Sequence, residues 1–92
     1  MTKAWELVEQ GWVQGFSFGD EDGRPCGRDN AVKFCALGAI ERAYPNSASS
    51  AAMQARNYLY HEYNNRASVS MWNDDPQRTQ ADVVRMLKGA GV

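Results

Sequence analysis

The sequence predicts an α+β fold, with about four helices arranged around a central apolar helix and one small β-hairpin. Three observations support this class. Four segments repeat apolar residues at helical spacing, one segment alternates with a period of two, and the strong turn dipeptide Asp22-Gly23 follows that segment. The 92 residues, 43% of them hydrophobic, suffice for a modest core. We therefore expect a single globular domain over residues 1–92.

The first helix and the ribbon are expected in the N-terminal third of the chain. Thr2–Gln10 carries an amphipathic pattern, with Thr2 as N-cap and Gly11 ending the helix in a left-handed turn. Trp12–Phe18 then places large aromatic residues in one phase of an alternating pattern, which is typical of a strand. We expect its hairpin partner near Arg24–Cys26. Because two strands alone are marginally stable, the ribbon must pack on helices.

The second helix is predicted over Ala31–Tyr44, with Asp29 or Asn30 as its cap and Pro45 as its stop signal. Its segment Phe34–Ile40 contains no polar side chain apart from one thiol. A helix that is apolar nearly all round is usually buried. We therefore place this helix at the centre of the fold.

The third helix is predicted over about Ser50–Tyr63, and the last helix begins near Thr79 and ends at Gly89. Thr79 and Asp82 resemble a capping box with Asp in place of Glu. The connecting segment 68–79 is expected to be extended or irregular. The residues of the third helix that share its apolar face are Ala51, Ala52, Ala55, Tyr58, Leu59 and Tyr63.

The overall charge is close to balanced, with a formal net charge of −1. A domain built to hold duplex nucleic acid usually carries a basic excess, so this balance disfavours that class. The N-terminus has no signal-peptide pattern and the chain has no apolar run long enough to span a membrane. We therefore expect a cytoplasmic protein whose two cysteines, Cys26 and Cys35, are reduced.

Cys35 is the candidate nucleophile of an enzyme. In the predicted helix it would be the fifth residue, past the first turn in which the helix dipole acts. Its neighbours one turn away include Ala31, Gly38 and Ala39, which are small, uncharged and unable to stabilise a thiolate. We predict that Cys35 packs in the core, and that replacing Gly38 by a larger residue would overpack the same surface.

The remaining candidates for chemistry are weak. A triad of Cys35, His61 and Asp74 can be written, but the helical phase points His61 away from the apolar face. One histidine and two separated cysteines match no zinc pattern. The acidic loop Asp20–Asp22 lacks the ligand spacing of a calcium loop and is interpreted as a solvated turn. We expect no catalytic residue, no metal and no cofactor.

Two groups of residues are candidates for binding. On the third helix, Met53, Arg56 and Tyr60 follow i, i+3, i+7 spacing opposite the alanine face, with Asn57 alongside. Met, Arg and Tyr are enriched at protein interfaces. This group is the predicted partner-binding surface, although a neighbouring loop that covers it would also explain the pattern.

The second group is Trp72, Asn73 and Asp74. It has two interpretations, namely a binding loop and a structural joint before the last helix. The joint is favoured, because Asn and Asp are typical of turns and Trp72 would anchor such a loop in the core.

Three segments together resemble a family of small uncharacterised bacterial and phage proteins. They are GWVQGFSFGDEDGRP, AVKFCALGAIERA and SVSMWNDDPQRTQADVVRML, and they cover most of the chain. The family pattern is G-W-x-Q-G, then A-V-x-W-C-A-x-G-A-I, then W-N-D. This chain departs from it with Phe34 in place of Trp, and with Val13 where some members have Cys. The resemblance implies no established activity and no catalytic residue.

These observations predict a non-enzymatic small binding protein that acts through protein–protein interaction. The resemblance adds a phage setting, in which the protein would inhibit or modulate a host system. One alternative is a cysteine-dependent enzyme that uses Cys35. The other is a nucleic-acid-binding module that uses the basic residues Lys33, Arg42, Arg56, Arg66, Arg78 and Arg85.

Overall fold

The structure is a computed structural model and describes residues 2–92. It confirms the α+β class, with five α-helices and one two-stranded antiparallel sheet in that range. The elements in chain order are α1 (Ala4–Gln10), β1 (Phe18–Gly19), a one-turn 3₁₀ helix (Arg28–Asn30), β2 (Lys33–Phe34), α2 (Ala36–Ala43), α3 (Ala48–Tyr63), α4 (Val69–Asn73) and α5 (Gln80–Ala90).

Helix α1 starts and ends differently from the prediction. Its N-cap is Lys3, whose backbone N donates to Glu6 Oε1 at 2.9 Å, and Thr2 lies outside the helix. Gly11 follows the helix in an extended conformation, with φ −173°, so the predicted left-handed turn is wrong. A Cβ at Gly11 would lie 2.5 Å from Val32 O. Glycine is therefore needed here for the close approach of two backbones.

The ribbon is shorter than predicted and has another partner. Phe18 pairs with Phe34 and Gly19 with Lys33, so β2 replaces the expected partner near Arg24–Cys26, which contributes one isolated bridge. The rest of the predicted strand is irregular apart from a parallel bridge on the other side of β2. The alternating pattern in the sequence did not identify the correct partner strand, because strand pairing depends on the path of the whole loop between the two strands.

The acidic segment between the strands forms a tight turn. Asp20 Oδ1 accepts hydrogen bonds from Asp22 N and Arg24 N, both at 2.9 Å. Gly23 has φ +78°, a left-handed conformation that glycine adopts without strain. The turn dipeptide was therefore correctly interpreted.

Helix α2 begins at Ala36, five residues later than predicted, because Lys33–Phe34 is a strand. Its buried residues are Ala36, Gly38, Ala39 and Ile40. The helix packs against α1, α3 and α4 and against β2, which gives it the predicted central position.

The C-terminal half follows the prediction with one addition. Helix α3 ends at Tyr63 as expected and begins two residues earlier than Ser50. The segment expected to be extended contains the short helix α4, whose N-cap Ser68 accepts from Met71 N. Helix α5 has the predicted capping box and ends at Gly91, past the expected Gly89.

The core lies between α1, α2, α3 and α5, which pack on one another around small and aliphatic side chains. Phe34 joins it from β2 and meets Phe18 edge-on, with ring centroids 6.3 Å apart. The largest fully buried side chains are Ile40, Leu59, Met86, Leu87, Val8, Val83 and Asn73.

Candidate functional site

The predicted partner-binding residues lie together on the outer face of α3. Met53, Arg56, Asn57 and Tyr60 are all exposed, and they line one cleft of about 280 Å³. Met53 keeps 53% of its surface accessible and Tyr60 keeps 45%. The opposite face of the helix carries the buried alanines and leucine. Helical spacing alone therefore identified this group correctly as one surface.

Two further residues complete the cleft, and sequence reasoning did not include them. Asn65 and Arg66 line it from the loop that follows α3. Asn64 adopts a left-handed conformation with φ 50°, and Asn65 N then donates to Leu59 O at 3.1 Å. The left-handed residue and this hydrogen bond together turn the loop back beside the last turns of the helix. The signal for it was the Asn-Asn pair directly after the last helical residue, since asparagine tolerates this conformation.

Aromatic contacts fix part of this surface. The Arg66 guanidinium carbon lies 5.5 Å from the centroid of the Tyr60 ring. His61 meets the edge of the same ring at 5.1 Å between centroids. A guanidinium over an aromatic face is attracted by the ring's quadrupole. Arg66 is therefore held over the cleft while its charge remains available.

The second group, Trp72, Asn73 and Asp74, does not line this cleft. Asn73 is completely buried, and all of its side-chain hydrogen bonds lie within the chain. Its Oδ1 accepts from Trp12 Nε1 at 2.8 Å and from Ala36 N at 3.0 Å. Its Nδ2 donates to Val13 O at 3.2 Å and to Asp74 Oδ1 at 2.9 Å.

The backbone around Asn73 is bound by the segment that follows α1. Gln14 Nε2 donates to Asn73 O at 2.9 Å and to Asp75 O at 2.8 Å. Gly15 N donates to Asp74 Oδ1 at 2.9 Å. The G-W-x-Q-G and W-N-D patterns therefore contact each other directly, and Asn73 joins both to the start of α2. This geometry favours the structural interpretation of the W-N-D segment.

Arg78 covers the exposed side of the same joint. Its guanidinium carbon lies 3.8 Å from the centroid of the Trp72 ring, and its Nε donates to Trp72 O at 2.9 Å. Trp72 itself is only 2% exposed and also meets the ring of Tyr63 edge-on. Its ring faces are therefore occupied by the chain's own side chains.

Cys35 is buried, as predicted, but it is not inside a helix. It is the N-cap residue of α2, and its Sγ accepts a hydrogen bond from Gly38 N at 3.2 Å. The prediction that Cys35 is the fifth helical residue is wrong, because strand β2 occupies the preceding positions. Burial raises the pKa of the Cys35 thiol, and the hydrogen bond from Gly38 N opposes this only in part.

Within residues 2–92, no hydrogen bond joins the Cys35 thiol to His61 or Asp74. Besides burial, the negative charge of Asp74 adds to the rise of the Cys35 pKa, but its carboxylate is hydrogen-bonded to Gly15 and Asn73, and His61 is exposed on α3 beside Tyr60. Both cysteines are free. Within residues 2–92, no group of three or more His, Cys, Asp and Glu residues is placed to hold a metal ion.

The basic residues considered for nucleic-acid binding are divided between different surfaces. Arg56 and Arg66 line the α3 cleft, whereas Arg42 lines a separate cleft. Arg85 lies 3.5 Å from the capping carboxylate of α5, and Arg78 covers the tryptophan of α4. Of the six residues, only Arg56 and Arg66 share a cleft among those described here.

Comparison with known proteins identifies one family that matches the chain. The model of a family described as "Family of unknown function (DUF6197)" matches residues 2–91. No curated protein and no solved structure matches the chain. None of the helices in residues 2–92 is long and apolar enough to cross a membrane.

Proposed function

We propose that this chain, which belongs to the DUF6197 family, is a non-enzymatic small binding protein that acts through protein–protein interaction. Its binding surface is the α3 cleft, which we define as Met53, Arg56, Asn57, Tyr60, Asn65 and Arg66.

The observation that carries this proposal is that the cleft combines exposed Met, Arg and Tyr side chains on a regular helix. Met53 and Tyr60 are among the exposed large hydrophobic residues of residues 2–92, and each lies one turn from Arg56. Such side chains carry much of the binding energy at protein interfaces. A rigid helix presents them without a large ordering cost on binding.

The competing enzyme reading has little support from the site of Cys35. A nucleophilic cysteine needs an accessible thiol with a lowered pKa. Cys35 is 4% exposed, and burial raises its pKa. The nucleic-acid hypothesis has two arginines in the α3 cleft to support it, and the other four basic residues considered for it do not line that cleft.

We extend the proposal to the setting in which the protein acts. The resemblance to small bacterial and phage proteins supports a phage-derived inhibitor or modulator of a host system, working in the cytoplasm. The partner in that setting is a host protein.

The test is affinity capture from a lysate of the cells in which the protein is naturally made, with one half of the lysate treated with nuclease and the other half left untreated. The test variant carries Met53→Ala, Arg56→Ala and Tyr60→Ala. A control variant carries Arg28→Ala and Val32→Ala, two exposed positions that do not line the cleft. Exposed substitutions usually change stability by less than about 0.5 kcal/mol, so both variants should melt close to the wild type.

The proposal predicts that wild type and control retain the same protein and that the cleft variant loses it. If the wild type, the control variant and the cleft variant all retain that protein, the binding surface lies elsewhere. A large drop in the melting temperature of the cleft variant would show that α3 buries this face in the native state. Loss of capture after nuclease treatment alone would favour nucleic acid instead.

A further inference from the structure

The charged side chains that line the α3 cleft are all positive. They are Arg56 and Arg66, and the remaining lining is Met53, Tyr60 and two asparagines. We infer that the occupant of the cleft is an acidic segment of a partner protein, in which a carboxylate lies next to an apolar residue. This inference rests on the proposed function and specifies the chemistry of the partner.

Neither arginine is neutralised by a carboxylate within residues 2–92. The three ion pairs in that range involve Arg28, Arg78 and Arg85. A guanidinium binds a carboxylate through two parallel hydrogen bonds, which makes Arg the usual partner of Asp and Glu at interfaces. An acidic side chain in the cleft would supply the missing counter-charge.

The geometry of Arg66 favours such a contact. Its position over the Tyr60 ring restrains a long side chain that would otherwise lose rotamer freedom on binding. The loop that carries it is closed against α3 by the Asn65 N to Leu59 O hydrogen bond. Less conformational entropy is then lost when a carboxylate binds, so Arg66 is partly preorganised for this role.

A second groove adjoins the cleft and would bind the apolar residue of the partner's segment. Its volume is about 290 Å³, and Met53 and Arg56 form a wall that the two concavities share. The remaining lining comes from α2, α3, the residue before α4 and α4 itself, and it contains no acidic residue: Leu37, Ser49, Ala52, Ser68, Val69 and Ser70. An apolar side chain in this groove and a carboxylate in the cleft would lie on either side of one ridge.

The groove between α1 and α5 offers a contrast. Glu9 lines it together with Arg85 and Lys88, so both signs of charge are present. Arg85 is also paired with Asp82. An acidic segment would gain less electrostatic binding energy in this groove, because nearby carboxylates already compensate its cations. Between these two concavities, charge complementarity therefore favours the α3 cleft for an acidic partner.

The experiment is a selection from a library of random displayed peptides against the immobilised full chain at physiological salt. A parallel selection uses the charge-reversed variant with Arg56→Glu and Arg66→Glu. We expect wild type to enrich peptides in which Asp or Glu neighbours an apolar residue, and the variant to enrich Lys or Arg instead. For a synthetic enriched peptide, changing its acid to the amide should weaken binding about tenfold, which is about 1.4 kcal/mol.

Several outcomes would overturn the inference. They are enrichment of peptides without acidic residues, acidic peptides that bind the charge-reversed variant equally well, and the absence of any peptide that depends on the cleft. Dimerisation in sedimentation that the Arg66→Glu change abolishes would identify a second copy as the occupant. Salt-sensitive oligonucleotide binding at the cleft would identify nucleic acid.

The two proposals fail in different ways. If lysate capture depends on Met53, Arg56 and Tyr60 while the selected peptides carry no acid, the binding function stands and the acidic partner is wrong. If capture does not depend on these residues, the proposed function is wrong, whatever peptides are selected.

Discussion

Trp12 Nε1 donates a 2.8 Å hydrogen bond to Asn73 Oδ1, which joins residues 61 positions apart in the sequence. The same oxygen accepts from Ala36 N, the first residue of α2. One buried amide therefore ties the segment after α1, the start of α2 and the end of α4 together. The polar side chains of Gln14, Asn73 and Asp74 that meet here therefore hold the fold together.

Replacing Asn73 with Ala should strongly destabilise the protein. The change leaves Trp12 Nε1 and Ala36 N without their buried acceptor, and an unsatisfied buried polar group costs about 1–3 kcal/mol. We expect the free energy of unfolding to fall by about 2–4 kcal/mol in urea denaturation. Asn57→Ala, at an exposed asparagine, is the matched control and should change it little. Equal effects of the two changes would contradict the assigned role of Asn73.

Replacing Gly38 with Ala should destabilise the protein although Ala is the better helix former. A Cβ at Gly38 would press on Ser17 O and lie 2.8 Å from Ser17 C, and both are backbone atoms. Overpacking of this kind costs about 1–3 kcal/mol, which exceeds the helix-propensity gain of about 1 kcal/mol. Gly27→Ala is the control, because a Cβ there meets nothing within 4 Å. Thermal melting should separate the two variants, and a Gly38→Ala protein as stable as wild type would contradict this contact.

Cys35 should react with alkylating reagents only when the protein unfolds. Its thiol is buried and its pKa is raised, whereas Cys26 is half-buried and near the surface. Mass spectrometry of iodoacetamide-treated protein should show Cys26 modified first. Fast modification of Cys35 in a Cys26→Ser variant at neutral pH would support the hypothesis of a cysteine-dependent enzyme.

The same pKa shift predicts a pH dependence of stability. The folded state favours the neutral thiol, so this contribution is fully present below the ordinary thiol pKa of about 8.5 and is lost as the pH rises towards the raised value. Cys35→Ser removes this thiol and keeps an N-cap oxygen. The difference in unfolding free energy between wild type and Cys35→Ser should therefore shift against wild type above that pH. A difference independent of pH would argue against the buried thiol.

The capping box of α5 predicts the opposite pH response. The hydrogen bond from Thr79 N lowers the pKa of Asp82, so its stabilising effect is present above the ordinary carboxyl pKa. It is lost as the pH falls through the lowered value. Thr79→Ala should cost about 1 kcal/mol at neutral pH. When the free energy of unfolding is measured at decreasing pH, it should fall less steeply for Asp82→Asn than for the wild type. An equally steep fall in both proteins would show that Asp82 does not contribute.

The sequence predicted what local periodicity determines. The outer face of α3 was identified correctly, because residues three and four apart share one side of a helix whatever the fold around it. The capping box of Thr79 and Asp82 is equally local. The start of α2 and the partner of β1 were missed, because strand β2 pairs across a long loop and interrupts an apolar run that also resembles a helix. Arg66 was not assigned to the cleft, because only the turn at Asn64 brings it beside Tyr60.

The most direct test of the central claim, that the α3 cleft binds a partner protein, is photo-crosslinking in living cells. A photoreactive residue at Asn57 places the probe in the cleft, and the same residue at Arg28 places it on another exposed surface. The account predicts that illumination links one defined protein to position 57, that position 28 gives no such product, and that nuclease leaves the product intact. Identical products from both positions, or none specific to position 57, would contradict the account.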